Sequence, residues 1–204
     1  LTNSAGHTIQ GAGQLGVDFM GLNNQGHIVA KQSAGLVIDL SGVVGSNTGT
    51  MRAQGGQLTL QNTSLNNTGG VIDAVGSNVV ITGSVVTGGT LQSSGGGKVF
   101  VQGGSNLVNL SNTGQSEIAN GQNGFLTGAF TNSGNLQLAS TGSFTDLRIN
   151  GNVSLTGAGT LTLSNNGNNR VYGVAATDVL TNSAGHTIQG AGQLGVDFMG
   201  LNNQ

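Results

Sequence analysis

Residues 65–74, Leu65-Asn66-Asn67-Thr68-Gly69-Gly70-Val71-Ile72-Asp73-Ala74, carry the pattern on which the fold turns. An apolar residue precedes asparagine, glycine follows, and then comes a short run with apolar residues at alternate positions. Alternation at period two marks a half-buried strand, and Asn with Gly supplies the turn before it. The cadence recurs at LNNQGHIVA (22–30), SNTGTMRA (46–53), LSNTGQSEIA (110–119) and FTNSGNLQLA (130–139). Aligned on glycine, the copies fall at Gly6, Gly26, Gly49, Gly69, Gly89, Gly114, Gly134, Gly159 and Gly185, a near-regular spacing lengthened in places by short insertions.

Each step holds more than one strand. A second alternating run follows about ten residues on, as Leu36/Ile38/Leu40, Leu58/Leu60, Val79/Ile81, Val99/Val101 and Leu147/Ile149. A third apolar position sits just before the asparagine, at Leu22, Leu65, Leu110, Phe130 and Leu155. Nothing follows a 3.6-residue period, so helical solenoids are excluded. Three short strands per step predict an all-β, right-handed parallel β-helix (β-solenoid), with about 8–9 coils of roughly 20–26 residues. Eight coils at the strand spacing of ~4.8 Å rise ~38 Å.

A longer repeat encloses the short one. Residues 1–25 reappear unchanged at 180–204. The expectation is that 1–179 form one tandem β-helical unit and 180–204 the start of the next identical unit, a window on a longer array.

Composition agrees with a β-solenoid and closes other routes. Of 204 residues, 39 are Gly and 24 Asn, with no Pro, Cys or Trp. Without cysteine there is neither a disulfide framework nor a thiolate metal cluster. Five scattered basic residues and a net charge of −2 do not make a nucleic-acid footprint. No apolar run approaches the ~18 residues that span a bilayer. No cofactor motif is present: the glycine pairs lack a following Lys-Ser/Thr phosphate loop, and no calcium-binding nonapeptide occurs.

The asparagines Asn3, Asn24, Asn47, Asn67, Asn112, Asn132 and Asn182 recur just before the anchor glycines. An amide both donates and accepts, so a column of them can satisfy itself coil after coil as a structural ladder. The column lapses at Thr87 and Gly157. Arg52 and Asp73 fall at matching places on consecutive coils and are expected to stack as an outward ion pair, worth ~0–1 kcal/mol.

The cadence of residues 65–74 resembles filamentous-haemagglutinin-type repeats. Gly157-Ala158-Gly159-Thr160-Leu161-Thr162-Leu163-Ser164 is similar to repeats of autotransporter passenger domains. The resemblance covers most of the chain and implies a right-handed β-helix. Because such repeats belong to large exoproteins exported by two-partner secretion, it also implies an extracellular or cell-surface location on a Gram-negative-type bacterium. The long, near-perfect unit 1–179 departs from these families and suggests array expansion, with length as the useful property.

Residues able to do chemistry are few. The acids are Asp18, Asp39, Asp73, Glu117, Asp146, Asp178 and Asp197. Coil alignment brings Asp18 near Asp39, but with no basic residue aligned beside them they read as solvated outward acids. His7 and His27 each follow an anchor glycine, His186 repeats His7, and two stacked imidazoles are a candidate metal pair without a third ligand. These features point to a non-catalytic, structural or adhesive segment of a giant secreted fibre. Its partners would be identical units end to end, with lateral association with sibling fibres or glycans. The alternative is a carbohydrate-active β-helix enzyme of the polysaccharide lyase or glycosidase kind. Six Phe, one Tyr and no Trp offer such an enzyme little platform for sugar stacking. Ice binding would need Thr-x-Thr ladders, and Thr160/Thr162 stands alone.

Overall fold

Strands with one apolar edge must bury it, and short strands joined by tight corners do so by winding into a column. In the computed structural model, which describes residues 1–40 and 42–204, every strand pairing is parallel. The chain forms a parallel β-solenoid of about ten turns, with no helix among the described residues.

Each early turn contributes one strand to each of three faces. Face A stacks Thr2–Asn3, Asn23–Asn24, Gly45–Asn47, Ser64–Asn66 and Val85–Thr87. Face B stacks Thr8–Gly11, His27–Ala30, Thr50–Ala53, Val71–Val75 and Thr90–Ser94. Face C stacks Gly13–Leu15, Leu36–Asp39, Leu58–Gln61, Val79–Thr82 and Val99–Gln102. Like residues lie over like. Ile28, Met51, Ile72 and Leu91 form one buried row, and Ile38, Leu60, Ile81 and Val101 another. Burying each such side chain contributes about 1.5–3 kcal/mol. The corners need glycine where one turn crowds the next: a Cβ on Gly49 would stand 2.1 Å from the carbonyl oxygen of Gly26.

Two expectations require correction. The sequence predicts three separate short strands per coil, whereas Ser105–Asn112, Asn123–Asn132 and Thr145–Thr156 each bend through a corner and run along faces A and B. Asn109 makes one such corner with φ +50° and accepts a hydrogen bond from the Ala129 amide, 3.0 Å away. The glycine alignment also predicts that the cadence keeps to one corner of the coil; the parallel β-helix is as expected, at about ten turns, but the cadence changes corner. The change lies between Gly89 and Gly114. The strand after Gly89, Thr90–Ser94, lies on face B, but the strand after Gly114, Gln115–Ala119, lies on face C. Val79 pairs with Val99 and Val99 in turn with Ser116, so the turn closing at Ser116 is shorter than the one before it. The three faces are similar enough for the Asn-Gly cadence to move from one corner to the next.

Candidate functional site

The later turns of face A carry the densest chemistry on the surface. Register sets Phe125 under Arg148 and Arg148 under Tyr172, with Asn123, Asp146 and Arg170 in the neighbouring column. Between them Leu147, Ile149 and Val171 point inward and are buried, so alternation turns the other residues outward. Asp146 is only 5% exposed. Arg170 grips it with Nε 2.8 Å from Oδ1 and Nη2 2.7 Å from Oδ2, and the Tyr172 hydroxyl donates to Oδ2 at 2.9 Å.

Aromatic rings flank both guanidinium groups. Arg170 lies 3.9 Å from the Phe144 ring centre, and Arg148 lies 5.5 Å from the rings of both Phe125 and Tyr172. Such cation–π contacts hold the planar groups in place. The hydrogen bonds that Arg170 donates to Asp146 raise the pKa of Arg170. Burial raises that of Tyr172, helped by its bond to the same carboxylate. Arg148 is differently placed: its nearest carboxylate approach is 3.8 Å, and its buried Nε has no hydrogen-bond partner.

Chemically, the patch is a small platform of rings and guanidinium groups with two Arg against one Asp. It suits contact with a flat apolar surface, such as a sugar ring, or with a carboxylate. It is poorly suited to proton transfer, because Asp146 already accepts three hydrogen bonds and is held as an acceptor. The sequence reading missed this cluster. Its signal was the spacing Phe125, Arg148, Tyr172 and Asp146, Arg170, each step one turn long.

The asparagines form two ladders rather than one column. In the first, Asn3 Nδ2 donates to Asn24 Oδ1 at 2.7 Å, Asn24 to Asn47 at 2.6 Å and Asn47 to Asn67 at 2.6 Å. It stops where Asn67 Nδ2 turns to the Gly88 carbonyl. The second begins one corner further round, where Asn112 Nδ2 donates to Asn132 Oδ1 at 2.9 Å. His186 then carries it across the lapse at Gly157. Its Nδ1 lies 2.8 Å from Asn182 Oδ1 and its Nε2 3.1 Å from Asn132 Nδ2, and Asn182 continues to Asn203 at 2.8 Å.

Amide chemistry fixes the proton on that imidazole. Asn182 Oδ1 can only accept, so Nδ1 carries the hydrogen; Asn132 Nδ2 can only donate, so Nε2 is bare. A proton on Nε2 would face another donor, and burial already lowers the pKa of His186. Stability from a lowered histidine pKa is complete above the unfolded value of about 6.5 and is lost as pH falls through the folded value. Acidification is therefore expected to lower the protection factors of the amides in residues 180–204, measured against the slower intrinsic exchange at each pH. His186→Gln should abolish that dependence, while His7→Gln, on the exposed copy, should leave it intact.

The other candidates are placed as follows. Arg52 Nη2 and Asp73 Oδ2 lie 2.8 Å apart on face B. Thr8, not His7, stands opposite His27; His7 instead turns toward Asn3, 3.2 Å away, so the structure does not bring the two imidazoles together as a stacked pair. Among the described residues no group of three or more His, Asp or Glu side chains is set to hold a metal. Asp18 is exposed, and its backbone N–H reaches the Asp39 carbonyl at 3.4 Å, while the Asp39 carboxylate accepts from Gln61. No family model matches the chain, nor does any curated protein or solved structure.

Proposed function

We propose that the chain is a structural and adhesive, non-catalytic segment of a secreted cell-surface fibre, built from tandem β-solenoid units joined end to end. One observation carries this reading. The second copy of residues 1–25 continues the column without interruption, pairing Val179–Asn182 with 152–155 and Thr187–Gly195 with the strand beneath it. The start of one unit thus fits the end of another through the same backbone ladder that holds each turn, and an open strand edge is satisfied only by further turns.

The surface supports an adhesive part. Few charges and many Asn, Ser and Thr leave the outer faces able to hydrogen-bond glycans or sibling fibres, and the Arg148–Tyr172 platform is the most distinctive contact point. Electron microscopy of the secreted material tests the reading. Rods with a period of about 40 Å, from ~8 turns at ~4.8 Å, are expected. Compact particles, or degradation of a polysaccharide by the purified chain, would overturn it.

A further inference from the structure

Identical sequences in this molecule do not occupy identical faces. Thr2–Asn3 lie on face A, but their copies Thr181 and Asn182 pair with Ser154 and Leu155 on face B. Thr8 and Ile9 lie on face B, while Thr187 and Ile188 pair with Thr160 and Leu161 on face C. Gln14 and Leu15 lie on face C, while Gln193 and Leu194 pair with Arg170 and Val171 on face A. All three displacements have the same sense. From Thr2–Asn3 to 172–173 face A is revisited after eight turns, and 181–182 lie one face beyond, so the unit 1–179 makes eight and one third turns.

The two copies also differ in their surroundings. His7 is exposed, whereas its copy His186 is buried against Asn132. The lower edges of Thr2–Asn3, Thr8–Gly11 and Gly13–Leu15 have no strand beneath them among the described residues, yet their copies rest on 154–155, 160–163 and 170–172. In the tandem reading, the surface complementary to residues 1–25 is one like 152–172, in the register that 180–204 display.

Resting on the tandem-fibre reading, we infer that each unit is turned by one third of a revolution, plus any twist of the coils, relative to the unit before it. Apart from that twist, the Arg148–Tyr172 platform then faces a different side in each of three successive units and returns to its first side in the fourth. A fibre so built presents the platform all round its axis, suiting attachment to partners on every side rather than along one edge. A whole number of turns would instead line all platforms along a single stripe.

Paired cysteines in the full chain test the register directly, because neighbouring parallel strands lie within disulfide reach. Ser154→Cys with Thr181→Cys, and separately Thr160→Cys with Thr187→Cys, should cross-link nearly completely under mild oxidation. In an eight-turn register Thr181 would instead stand over Asn150 and Thr187 over Thr156. Asn150→Cys with Thr181→Cys, and Thr156→Cys with Thr187→Cys, should therefore stay largely reduced. Closure of these second pairs, or failure of both first pairs, overturns the one-third turn. The outcome is separable from the fibre reading, because the cross-links form or fail in isolated chains and microscopy decides independently whether rods exist.

Discussion

Asn47→Ala is expected to lower the unfolding free energy by about 1–3 kcal/mol, read from chemical denaturation of purified chains. Asn47 is fully buried and sits mid-ladder, accepting from Asn24 Nδ2 and donating to Asn67 Oδ1, both at 2.6 Å. Alanine removes both partners at once. It strands the Asn67 Oδ1 acceptor where no water reaches, an orphan that costs ~1–3 kcal/mol, and leaves Asn24 Nδ2 only its longer bonds to the Gly26 and Thr50 carbonyls, at 3.3 and 3.4 Å. The exposed neighbour of the next rung provides the control. Asn66 serves only to cap the Thr68 amide from the surface, and Asn66→Ala should cost no more than ~0.5 kcal/mol. Since each turn contacts chiefly its neighbours, hydrogen exchange should locate the damage in the turns around residues 24–70. A loss at Asn47 no larger than at Asn66 would mean that the ladder is an ornament of the corner and not part of its strength.

The ladder also marks how far the sequence could be read. Strand positions and the inward rows were legible because alternation is local: Ile28/Ala30 and Leu58/Leu60 announce their buried face within four residues. The parallel stack followed from the repeat. What was hidden is the phase of the cadence around the column. With three faces of similar strand length, nothing near Gly114 says that its strand belongs to face C when the one after Gly89 belongs to face B. The two histidines make the same point more sharply. His7 and His186 have identical neighbours for many residues on one side, and only the turn beneath separates an exposed ring from a buried one. The platform escaped notice because it lies in the longer turns, where the Asn-Gly cadence weakens and the spacing of Asp146, Arg148, Arg170 and Tyr172 no longer follows the glycine alignment.

That platform gives the second large effect. Asp146→Ala is expected to cost about 2–3 kcal/mol, since removing one member of a buried pair leaves the other uncompensated. The figure stays at the low end because the side chains of Arg170 and Arg148 keep 23% and 36% exposure and are partly rescued by water. Two guanidinium groups would then face each other without the carboxylate between them, and Arg170 would keep only its ring contacts with Phe144 and Tyr172. Asp146→Asn separates charge from shape. It preserves an acceptor for the Tyr172 hydroxyl but removes the negative charge, which adds to burial and to that hydrogen bond in raising the phenol pKa. The titration of Tyr172 should therefore move back toward the ordinary tyrosine value without reaching it, because burial remains. The chain has one Tyr and no Trp, so phenolate absorbance reports this residue alone. An unmoved titration together with unchanged stability would show that Asp146 neither anchors Arg170 nor holds the tyrosine. The platform would then be a chance meeting of side chains rather than an organised surface that a fibre could present to a partner.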